Sequence, residues 1–161
     1  MAYARTAQDM AAMTTLDSNG WLSLHQALRD NAPLGAIKLL LSAFPIALRV
    51  IDGRGLLPLH IACKYSSADV VNYLLELNDT FLNHCDTNKD APLHHACQGG
   101  NCGVVKLLLD RNVPSVSERN DDGKLPFHLL CEASAQVDSN SLDYVETIWQ
   151  LLLAHPETVQ N

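Results

Sequence analysis

The chain has 161 residues, 47% of them hydrophobic and 18% charged. That length and apolar share suit one folded domain with a sizeable core and exclude a disordered chain. Eleven basic residues stand against 18 acidic ones, a net charge of −7, with no cluster of Lys and Arg; double-stranded nucleic acid and anionic membrane are therefore poor partners.

Residues 1–16 are rich in Ala and Met (Ala11-Ala12-Met13) and are expected to form an N-terminal segment or a lone capping helix. Asp9 falls where a secretion signal would need an apolar run. Nowhere does an apolar stretch approach the roughly 20 residues that span a bilayer. The five cysteines, at 63, 85, 97, 102 and 131, have no spacing of a disulfide-stapled scaffold. A soluble protein in a reducing compartment is expected, cytoplasmic or nuclear.

From residue 17 onward the chain repeats. Leu22-Ser23-Leu24-His25, Leu57-Pro58-Leu59-His60, Ala91-Pro92-Leu93-His94 and Leu125-Pro126-Phe127-His128 place their histidines 35, 34 and 34 residues apart. Eight residues before each His stands Asp17, Asp52, Asp86 or Asn120, and five before it Gly20, Gly55, Lys89 or Gly123. Each unit thus opens on a polar turn. Pro58, Pro92 and Pro126 then sit at the first helical position, where the missing N–H costs nothing. A helix of about two turns, a polar break such as Ser66-Ser67 or Gly99-Gly100, and a second helix follow. The second helix carries an apolar stripe, as in Val70-Val71-Asn72-Tyr73-Leu74-Leu75. Neither helix buries its stripe alone, so the units must stack. The spacing predicts units at 17–51, 52–85, 86–119 and 120–161.

These motifs resemble the ankyrin repeat, a 33-residue unit with a T-P-L-H-x-A signature. Leu57 to Ala62 and Ala91 to Ala96 each match five of its six positions. The resemblance implies an all-α solenoid of stacked helix-turn-helix units joined by β-turn or hairpin loops. The signature Thr is absent from every unit, so the His must find a backbone carbonyl or water, or remain less constrained. Glycine after the first helix survives only as Gly100; Asn31, Ser66 and Ser134 stand at the other three places. A left-handed backbone there is expected to weaken units one, two and four. Unit four carries about ten extra residues near 133–142, expected to lengthen its first helix or form a loop, with Asn140 and Asp143 capping the second. The apolar face of residues 142–149 is expected to continue into a further repeat, or to pair with a second copy.

Little chemistry is expected. His25, His60, His94 and His128 read as near-buried structural residues, a repeat apart and too far from one another to share a metal. Cys63, Cys97 and Cys131 read as core positions, while Cys85 and Cys102 fall outside the register, open to a weaker redox or metal-sensing reading. His84-Cys85 lacks the paired C-x-x-C spacing of a zinc site. Nucleophile, P-loop and H-E-x-x-H motifs are absent. No enzymatic activity, metal or cofactor is expected.

The resemblance implies partner binding through the concave face of turn tips and first helices. Carried over, its variable positions are Ser18, Asn19, Trp21, Arg29 and Asp30 in unit one, and Gly53, Arg54, Leu56, Lys64 and Tyr65 in unit two. Units three and four give Thr87, Asn88, Asp90, Gln98 and Gly99, then Asp121, Asp122, Lys124, Glu132 and Ala133. Cations and aromatics gather in units one and two and acids in units three and four. The expected partner is a protein with acidic groups against the former and basic groups against unit four. The expected function is a non-catalytic interaction module or scaffold; the alternative is the ankyrin segment of a larger enzyme, channel or signalling protein.

Overall fold

The computed structural model describes residues 23–111, 113–135 and 142–154. The predicted N-terminal segment, most of the unit-four insert and Asn140 lie outside the described residues. Eight α-helices are assigned among those described, in four antiparallel pairs: α1 (Ser23–Arg29) with α2 (Leu34–Ala43), α3 (Pro58–Tyr65) with α4 (Ala68–Leu77), α5 (Pro92–Gln98) with α6 (Cys102–Leu109), and α7 (Pro126–Ser134) with α8 (Leu142–Ala154). Single 3-10 turns at Pro45–Arg49, Thr80–Asn83 and Pro114–Ser117 lead from each of the first three pairs toward the next unit. First helices stack on first helices and second on second, and the fold is an all-α solenoid.

Each unit starts as its sequence predicts. Pro58, Pro92 and Pro126 occupy the first helical position. In place of the missing Thr cap, the signature histidine, third in the helix, folds back on the cap residue. The Leu57 N–H donates to Nδ1 of His60 at 3.0 Å, and Ala91 and Leu125 do the same for His94 and His128 at 3.2 and 3.0 Å. This is the reciprocal half of a capping box, with an imidazole where Glu usually stands. Because Nδ1 accepts, Nε2 carries the proton. It donates to the His84 carbonyl from His60 (2.8 Å) and to the Glu118 carbonyl from His94 (3.1 Å). One side chain therefore ties a helix start to the chain 24 residues on. His25, His60 and His94 are fully buried; His128, in the end unit, is half-buried.

The core is one ribbon: Leu28, Ile37 and Leu41 give way to Val71, Leu74 and Leu75, then to Val105 and Leu108, then to Leu130 and Leu151. Polar bonds cross the seams. The Ser66 hydroxyl donates to the Leu28 carbonyl at 2.9 Å, and the Asn101 amide to the Ser66 carbonyl at 2.7 Å. A Cβ on Gly99 would collide with the Lys64 carbonyl, so glycine is needed there for close approach of the units.

Three expectations need correction. Asn31 and Gly100 are left-handed (φ 51° and 64°), but Ser66 is extended (φ −99°) and Ser134 is helical, so only unit one carries the expected strain. The Ser66 hydroxyl is used across the seam instead. Cys131 is exposed, unlike the buried Cys63 and Cys97, because no further unit covers that place in unit four among the described residues. Cys102, expected to be a stray, is buried at the start of α6.

Candidate functional site

The turn tips are built by one device. The Asp52 carboxylate accepts the N–H groups of Arg54 (2.8 Å) and Leu56 (2.9 Å), and Asp86 accepts those of Asn88 (2.8 Å) and Asp90 (3.0 Å). Asn120 accepts from Lys124 at 2.9 Å. These side chains bend the chain so that a left-handed residue fits: Gly55 (φ 76°), Lys89 (φ 60°) and Gly123 (φ 74°). Successive tips then join, the Thr87 N–H donating to the Arg54 carbonyl and the Asp121 N–H to the Asn88 carbonyl. Turns and first helices are thereby set side by side along one face.

Between units two and three that face opens into a cavity of about 320 Å³. Arg29, Arg54, Lys64, Tyr65, Asn88 and Gln98 line it together with the buried Leu56, His60, Ile61, Asp86, Asp90 and His95. Lys64 Nζ lies 2.7 Å from Gln98 Oε1 and 5.4 Å from the Tyr65 ring centroid. Tyr65 is 42% exposed and lines the groove. Deeper in, His95 Nε2 donates to Asp86 Oδ2 at 3.0 Å, and its ring meets His60 edge-on at 5.3 Å between centroids.

Burial and the neighbouring His95 ring push His60 down to about 4, and burial lowers His94. Both are held neutral, as their bonding requires. Burial alone would raise Asp86, but hydrogen bonds from His95 and two backbone N–H groups outweigh it and hold the carboxylate ionised.

Eight predicted binding residues converge on this cavity: Arg29, Arg54, Leu56, Lys64, Tyr65, Asn88, Asp90 and Gln98. Two of them differ from expectation. Leu56 and Asp90 are buried rather than displayed, and Asp90 Oδ1 accepts from the Asn120 amide at 2.9 Å. Ser18, Asn19 and Trp21 lie outside the described residues. The unit-four positions stand apart from the cavity, and its charges are partly matched locally: Asp121 pairs with Lys89 at 2.7 Å and Glu132 with Lys124 at 2.8 Å. The residues that sequence reasoning missed are His95, Ile61 and Asp86. The first two follow the signature His, a place that Gln26 and Leu129 hold elsewhere. All but Gln26 are buried, so the register alone gives no sign that Ile61 and His95 border the groove. Asp86 was legible only as a turn cap, because its second oxygen is aimed by folding.

Residues 40–86 match the family described as ankyrin repeats (many copies), and residues 88–121 the family described as ankyrin repeat. Among curated proteins the chain has no match. No helix of the described residues is long and apolar enough to cross a membrane. With signature, helix pairing and the matched residues in agreement, the chain belongs to the ankyrin repeat family, whose repeats are generally protein-interaction modules.

Proposed function

We propose that this chain is a non-catalytic protein-binding module or scaffold, cytoplasmic or nuclear, that holds an extended partner segment along the groove between units two and three. The observation that carries the reading is the convergence of eight independently placed turn-tip and first-helix residues on one cavity. Arg29, Arg54 and Lys64 favour acidic partner residues beside units one and two. Tyr65 and Arg54 are of the types that dominate interface energetics. Asp122 and its neighbours in unit four favour a basic continuation of the same segment. In a larger protein the same groove would serve as its docking arm, the active domain lying elsewhere.

Selection from a displayed random-peptide library tests this reading. Wild-type protein should enrich acidic segments, and the Arg54→Glu, Lys64→Glu double variant should lose them at an unchanged melting temperature. Tyr65→Ala should weaken a selected peptide about tenfold. Equal enrichment by wild type and the charge-reversed variant removes the groove from consideration. Exposed Leu142, Val145, Trp149 and Leu153 on α8 favour a second contact, a further repeat or a second copy of the chain. Sedimentation at a single monomer mass across concentrations would eliminate the second copy.

A further inference from the structure

Inside the groove three buried side chains form a cluster of their own. Asp86, Asp90 and His95 bring one donor atom each to within 4.8 Å of one another. Asp86 and Asp90 are 9% and 7% exposed, and among the described residues no Lys or Arg pairs with either. Two buried carboxylates with no Lys or Arg in ion-pair contact are costly, and a dipolar imidazole and the more distant Lys124 charge offset only part of that cost. Asp90, which lines the cavity, is also incompletely used: Oδ1 accepts from Asn120, while Oδ2 receives no donor from the described residues.

We propose that Asp86, Asp90 and His95 form a binding site for one divalent transition-metal ion of the zinc class. The arrangement is preorganised. Two backbone N–H groups hold Asp86 Oδ1 and thereby aim Oδ2 at His95. The edge-on His60 ring, fixed by its own bond to the His84 carbonyl, holds the His95 ring in place. The 3.0 Å between Asp86 Oδ2 and His95 Nε2 is the edge length of a coordination shell whose ligands stand about 2.0–2.1 Å from the ion. Binding transfers the Nε2 proton to solvent and replaces that hydrogen bond by two metal bonds. Asp90 completes the set by turning its free oxygen inward, and water from the groove fills the remaining positions. One imidazole among two carboxylates selects zinc, cobalt or nickel over magnesium or calcium, which prefer all-oxygen sites. The site shares Asp90 with the groove, but its argument rests on the cluster's own geometry and not on the peptide-binding reading.

Chelator-stripped protein in a Cys85→Ser, Cys131→Ser background, which removes the accessible thiols, is titrated with zinc chloride by calorimetry. One ion per chain is expected, with no heat from magnesium. His95→Gln and Asp90→Asn should each weaken zinc at least about tenfold while the far-ultraviolet dichroism is kept. In the unsubstituted protein, zinc should shift the His95 imidazole nitrogen signals first. Absence of saturable zinc binding, undiminished binding by both variants, or nitrogen shifts confined to His84 and the remaining histidines would each overturn the proposal.

Discussion

The histidine of each unit shows how one residue carries two jobs when its protonation is fixed. His60 and His94 accept through Nδ1 and donate through Nε2, which only the neutral ring can do. Shared sequence position does not guarantee a shared environment, and the cysteines make this measurable. Burial raises the thiols of Cys63 and Cys97 far out of the reactive range, whereas Cys85 and Cys131 are raised by partial burial and by acidic neighbours. A disulfide reagent at pH 8 should therefore label two thiols in the native protein, Cys85 and Cys131, more slowly than free cysteine. Cys63, Cys97 and the buried Cys102 should appear only on unfolding. Prompt labelling of Cys102 would contradict its burial at the start of α6 and revive a sensing role for it.

At the scale of the element, the turn tip is the part that local sequence nearly optimises. Gly55 and Gly123 take the left-handed place without cost, but Lys89 pays for it with a Cβ. Lys89→Gly should stabilise the protein by about 1 kcal/mol, since the exposed Lys89–Asp121 pair it removes contributes little. Urea unfolding reads the change directly, and a loss of stability would mean that the ion pair outweighs the backbone. Gly99→Ala makes the opposite point. Its φ of −79° suits any residue, yet the added methyl meets the Lys64 carbonyl, so the variant should lose stability and loosen the groove.

Over the whole molecule, stability is a chain of neighbour contacts, each unit resting on those beside it. An inner position then matters more than its equivalent at an edge. Leu74 is 1% exposed with units on both sides, and Leu153 is 63% exposed on the last helix. Leu74→Ala should cost about 2–5 kcal/mol and Leu153→Ala less than about 0.5 kcal/mol. Hydrogen exchange should be slowest in α3 to α6 and faster in α7 and α8, which have a neighbour on one side only among the described residues. Uniform protection across the four pairs would mean that the array unfolds as a single unit.

The sequence by itself determined the repeat, the helix starts at Pro58, Pro92 and Pro126 and the turn caps. Those features depend on spacing and on backbone preferences within about ten residues, which a linear chain displays openly. The resemblance to the ankyrin repeat also led to Arg54, Lys64 and Tyr65, because it carries the family's variable positions onto these residues. What only the tertiary structure decided were the meetings between residues of different units and the burial that stacking imposes. Ser66 escapes a left-handed turn because its hydroxyl reaches the Leu28 carbonyl. Asp90 is buried because Asn120 of the next unit closes over it. Cys131 stays exposed where its counterparts are sealed. Asp86 and His95, nine residues apart, became one pair only when the turn aimed a carboxylate oxygen across the groove at the helix it precedes. The contacts between units follow from how far one unit is rotated and shifted on another, a quantity that no single repeat encodes, whereas the Asp86–His95 pair follows from how the turn folds within unit three.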